Sequence, residues 1–142
     1  MNTNTDLVRL STASRALAAC HDLGEIKRIR DQAEAIRQYV KAHQLGQTAQ
    51  NEAADIKLRA ERRAGELLKQ TDRNKGAAVK RGDIVSPRLS EIGVTKKQSE
   101  RWQVEAEVPE PEFERYVAET KAAGEELTSR GLLQLNAAGR GE

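Results

Sequence analysis

Aromatic side chains are scarce in this chain of 142 residues: one tryptophan, one phenylalanine and two tyrosines. A folded core must therefore be packed by Ala, Leu, Ile and Val, a composition that favours helices over sheets. The single cysteine, Cys20, has no partner for an internal disulfide, so nothing calls for an oxidising compartment. Two histidines add little. Cys20 and His21 are adjacent, which on a helix points them about 100° apart, so neither a metal pair nor a thiolate–imidazole dyad is set up locally. There is no phosphate loop, no Ser-His-Asp order and no zinc spacing. We expect no enzyme, no cofactor and no metal, with carboxylate-only chemistry left open in a Glu-rich sequence. No apolar run reaches membrane length, and Met1 to Thr5 lack the charged-then-apolar order of a signal peptide. A soluble, cytoplasmic protein with no membrane partner is expected.

Charge is abundant and unevenly spread. Charged residues make up 32% of the chain for a net charge of only +2. Residues 1–56 balance, residues 57–101 carry +7 and residues 102–142 carry −5. A basic middle beside an acidic tail is the distribution of a nucleic-acid footprint with a repelled outer face.

The basic middle ends in the stretch that organises this reading, Leu89 to Trp102. Leu89 and Ile92 share one face of a short helix that runs into Gly93, a residue able to take positive φ and end a helix abruptly. Val94 plugs the corner and Thr95 caps a second helix. Its first two turns carry Lys96, Lys97, Gln98 and Arg101, the side-chain types that reach phosphates and base edges when the start of a recognition helix enters the major groove. Ser99 stands where an aliphatic residue usually packs, which leaves most of that packing to Trp102.

The run Ile92-Gly93-Val94-Thr95-Lys96-Lys97-Gln98-Ser99-Glu100-Arg101-Trp102, followed by Val108-Pro109-Glu110, Phe113, Leu127-Thr128 and Leu132-Leu133, resembles the DNA-binding half of the ParB/KorB partition and repressor family. The likeness covers about residues 89–135 and implies a helix-turn-helix buttressed by later helices. The layout Arg59-Ala60-Glu61-Arg62-Arg63-Ala64-Gly65-Glu66-Leu67-Leu68 also resembles small helical proteins of actinobacterial phages and mobile elements, a likeness that names no function. Glu61-Arg62-Arg63 is similar to part of the Gly-Glu-Arg-Arg box with which ParB proteins bind a cytidine nucleotide. The glycine is replaced by Ala60 and no neighbouring strands are indicated, so no nucleotide is expected.

Elsewhere the periodicity is helical. Leu7, Val8, Leu10, Ala13, Leu17 and Ala18 mark a first helix ending near Cys20, with Gly24 as the expected break. Ile26, Ile29, Ala33, Ile36, Val40 and His43 follow at spacings of a coiled-coil seam, serving either a dimer or a helix packed on its own chain. At Gly46 the chain either bends or continues. Ala53, Ile56, Ala60, Ala64, Leu67 and Leu68 then make a narrow stripe suited to close helix–helix approach. Lys57, Arg59, Arg62 and Arg63 lie on its other side, as a solvated face or as phosphate contacts. Thr71 to Asp83 loses periodicity and reads as a linker. Trp102, Phe113 and Tyr116 are expected to form the core of the last domain.

These readings give an all-α protein: a long-helix arm or hairpin for dimerisation (1–70), a basic linker (71–83), a helix-turn-helix domain (84–136) and a frayed tail (137–142). The function expected is sequence-specific binding of double-stranded DNA by a homodimer, as a transcriptional regulator or partition-like accessory factor of a phage or mobile element. Lys96, Lys97, Gln98 and Arg101 are assigned to the groove. Thr95 and Arg88 are assigned to phosphates, and Arg62, Arg63, Lys80 and Arg81 to outer backbone contacts. Ile26, Ile29, Ala33, Ile36 and Val40 are assigned to the dimer seam. The alternative is a helical adaptor that binds a host protein through the arm.

Overall fold

The two apolar stripes of the arm meet each other rather than a second chain. In the computed structural model, which describes residues 3–81 and 89–140, helix α2 (Leu23–Ala42) and helix α3 (Gln47–Arg81) form a hairpin. The chain bends at Gly46 instead of continuing as one helix. Gln44 and Gly46 take φ of 52° and 110°, and the Leu45 amide donates to the Val40 carbonyl at 3.0 Å, closing the end of α2.

The seam of α2 is consumed in this hairpin. Ile26, Ile29, Ala33, Ile36 and Val40 are all buried in one cluster with Ala53, Ile56, Ala60, Ala64, Leu67 and Leu68 of α3. Their assignment to a dimer interface is therefore corrected: the apolar stripe is satisfied within the chain, and the alanines of α3 allow the close approach that does it. His43, at the end of that seam, is instead exposed and stacks on Tyr39.

Helix α1 (Thr3–Arg15) and a single 3₁₀ turn (Leu17–Ala19) lie across this hairpin, with Leu10 and Leu17 buried in the same cluster. Gly24 is not the break expected there. It lies within the first turn of α2, which Asp22 caps by accepting from the Glu25 amide at 3.3 Å.

Helix α3 departs most from expectation, because it runs on to Arg81 through most of the stretch read as a linker. A helix already held by packing extends without a new nucleus, so residues with no apolar periodicity can join its end. Residues 82 and 83 of the expected linker lie outside the described residues.

The remaining helices pack onto α3 as well. Helix α4 (Lys96–Glu107), helix α5 (Glu110–Ala123) and helix α6 (Ser129–Arg140) follow a second 3₁₀ turn (Leu89–Ile92). Val94 and Trp102 join the cluster of the hairpin. Ala54 and Leu58, from the opposite side of α3, pack with Val108, Phe113, Val117, Leu127 and Leu132. The arm and the C-terminal region thus share their cores through α3, and the aromatics expected together are divided between two clusters. Asn51 of α3 bridges to the α5–α6 connection, its amide donating to the Glu125 carbonyl at 2.7 Å while its oxygen accepts from the Leu127 amide at 2.9 Å. Helix α6 extends to Arg140, through most of the tail expected to fray, and residues 141–142 lie outside the described residues.

Candidate nucleic-acid interface

The corner before α4 forms as its residues dictate. Gly93 takes φ of 80°, Val94 is 4% exposed, and the Val94 amide donates to the Leu89 carbonyl at 3.0 Å. Thr95 and Gln98 then close a capping box: the Thr95 hydroxyl accepts from the Gln98 amide and the Gln98 side chain accepts from the Thr95 amide, both at 3.0 Å. These two residues are thereby committed to setting the start of the helix. The helix before the corner is a 3₁₀ turn among the described residues, shorter than the α-helix of an ordinary helix-turn-helix.

Helix α4 turns Ser99, Trp102 and Glu105 inward and leaves Lys96, Lys97, Glu100 and Arg101 exposed. Ser99 fills the aliphatic position without an unmet polar group, its hydroxyl accepting from the side-chain Nε2 of Gln103 at 3.1 Å. Lys96, Lys97 and Arg101 take part in no ion pair among the described residues.

The cations of α3 behave oppositely. Arg62 is 9% exposed, donates to the Val108 carbonyl at 2.7 Å and the Glu105 carbonyl at 3.4 Å, and lies over the Phe113 ring with its guanidinium carbon 4.4 Å from the centroid. It closes the C-terminal end of α4, where bare carbonyls favour a cation. Burial lowers its pKa, only partly offset by Glu66 and Glu110. Arg63 donates to the Cys20 carbonyl at 3.0 Å and pairs with Glu66 at 2.8 Å. Arg59 grips Glu114 at 2.5 and 3.1 Å, Lys57 meets Glu34 at 3.0 Å, and Lys69 meets Glu107 at 3.2 Å. The expected phosphate contacts of Arg62 and Arg63 are therefore corrected: their guanidinium groups satisfy carbonyls and carboxylates of the chain itself. Lys80 and Arg81 close α3, their side chains outside what the structure describes, and Arg88 lies outside the described residues altogether.

A buried polar cluster under α4 was not anticipated. Arg30 donates to Glu61 at 2.7 Å and lies over Trp102, its guanidinium carbon 5.5 Å from the ring centroid. Glu105 of α4 is fully buried beside Glu61, and both its oxygens, with Oε1 of Glu61, have no other donor. Burial pushes the Glu105 carboxyl far up, and the charge of Glu61 and a hydrogen bond to it push the same way. A proton carried by Glu105 and donated to Oε1 of Glu61 serves two of these three oxygens. The sequence signal was the spacing Ser99, Trp102, Glu105, which places a glutamate on the inward face of the helix.

None of the described helices is long and apolar enough to cross a membrane, and among the described residues no three His, Cys, Asp or Glu side chains converge on a metal position. No family model matches the chain, and neither does a curated protein or a solved structure.

Proposed function

We propose that the chain binds double-stranded DNA through the exposed face of α4, as a cytoplasmic transcriptional regulator or partition-like accessory factor of a phage or mobile element. One contrast carries the reading. The described cations of α3 from Lys57 to Lys69 are spent on carboxylates and carbonyls of the chain, whereas Lys96, Lys97 and Arg101 stand exposed, without an ion pair among the described residues, on the first turns of a helix that follows a glycine corner. A helix presented this way can lay its start in the major groove while Lys96 meets the backbone. Because the α2 seam lies within the fold, this mode requires no dimer through α2.

Titration of labelled duplexes from the source genome, repeated across a salt series, tests the reading. Binding that weakens by orders of magnitude between low and moderate salt supports it. Absence of binding to any duplex at low salt refutes it. The adaptor alternative has a surface of its own, the hairpin tip where Tyr39 and Leu45 are 36% and 51% exposed. Capture of a host protein that is insensitive to salt and lost in Leu45→Asp would favour that alternative.

A further inference from the structure

Glu100 shares the exposed face of α4 with the cations, three residues after Lys97 and one before Arg101. A carboxylate there opposes any contact with phosphate. It is also available: Glu100 has no ion pair among the described residues, although Lys96 and Lys97 lie one turn before it on the same exposed face. Arg62 already serves the far end of α4, so Glu100 is not needed to anchor the helix.

The major groove offers few groups that suit a carboxylate, because most of the edges displayed there are acceptors. Cytosine presents an amino donor at N4. Adenine presents its N6 donor beside the N7 acceptor, whose lone pair repels a second acceptor and is better matched by an amide side chain. A guanidinium has the converse fit to guanine, donating to O6 and N7 together. Successive helical residues diverge by about 100°, so Glu100 and Arg101 reach different bases.

We infer that Glu100 determines specificity, accepting from cytosine N4 while Arg101 donates to a guanine of a neighbouring pair, so that the preferred site contains adjacent G·C pairs. This rests on the DNA-binding reading above. It differs from a purely electrostatic footprint in one respect: the acid lowers affinity for DNA in general and recovers it only over cytosine.

The test is selection from random duplexes with the full chain, followed by titration of the wild type and Glu100→Ala on the selected site and on the same site with the cytosine replaced by thymine. The wild type is expected to distinguish the two duplexes by about tenfold or more. Glu100→Ala is expected to hold non-specific duplexes at least as tightly and to distinguish the two sites by less than about twofold. A wild type that binds DNA without preferring G·C pairs, or a Glu100→Ala variant that keeps full discrimination, overturns the role of Glu100 and leaves DNA binding standing. A wild type that binds no duplex overturns both. Circular dichroism of Glu100→Ala, expected to match the wild type because the side chain is exposed, separates loss of reading from loss of fold.

Discussion

A Cβ added to Gly65 of α3 would stand 2.0 Å from the carbonyl oxygen of Trp102 in α4. The two helix backbones touch at that point, and the touch sets how far α4 stands from the hairpin. Ordinarily alanine improves a helix interior by about 1 kcal/mol over glycine. At this position Gly65→Ala should instead destabilise the protein by about 1–3 kcal/mol, because backbone has to move to admit the methyl group. Urea unfolding measures the difference, and a variant more stable than the wild type would refute the contact.

Glu105 gives the stability an unusual pH dependence. Its carboxyl is raised in the folded state by burial and by Glu61, so its stabilising contribution is complete below the ordinary glutamate value of 4.5 and drains away as the pH climbs above it. Glu34 acts in the opposite sense. Burial opposes its ionisation, but hydrogen bonds from Arg37 and Lys57 hold it at about 2, so its contribution is present above 4.5 and lost as the pH falls towards 2. Thermal midpoints should therefore be higher at about pH 5.5 than at about pH 8.5, and Glu105→Gln should flatten that interval by keeping the group neutral. Equal slopes for wild type and variant would remove the shared proton.

Arginines of similar sequence appearance should fail in different ways. Arg62→Ala strips donors from the Val108 and Glu105 carbonyls and should lower unfolding free energy by about 1.5–3 kcal/mol. Its effect on DNA should follow the folded fraction alone. Lys97→Ala and Arg101→Ala should leave the melting curve in place and weaken binding by about 1–3 kcal/mol each if they read bases. Melting and titration of the three variants side by side decide this.

Replacing an apolar residue of the α2 seam should break the fold rather than divide an assembly. Ile26 is fully buried against the hairpin, so Ile26→Ala should lower stability by about 2–5 kcal/mol, the range for large-to-small core changes. Sedimentation of wild type and variant should show the same mass. A halving of mass with the fold intact would restore the dimer seam.

The corner at Gly93 was legible because it is local: positive φ, the buried Val94 and the reciprocal cap of Thr95 and Gln98 involve residues a few positions apart, and their chemistry leaves little choice. The α2 stripe was equally plain in spacing and silent about its partner. A seam of period three and four looks the same whether it faces another chain or the next helix of its own.

The fate of charged residues on α3 was not legible at all. Glu61, Arg62 and Arg63 are the kinds of residue expected at a surface, and they lie buried or half-buried because α3 is covered by α2 on one side and by α4 and α5 on others.

Taken alone, the order of residues determined that this chain is helical, where its glycine corner lies and which cations begin the helix after it, since each follows from neighbours within a turn or two. Only the tertiary structure decided that α3 is the shared centre, that Arg62 closes α4 and that Glu105 meets Glu61. Those outcomes depend on which faces come together across tens of residues, and a side chain's charge says nothing of that until the partner surface is in place.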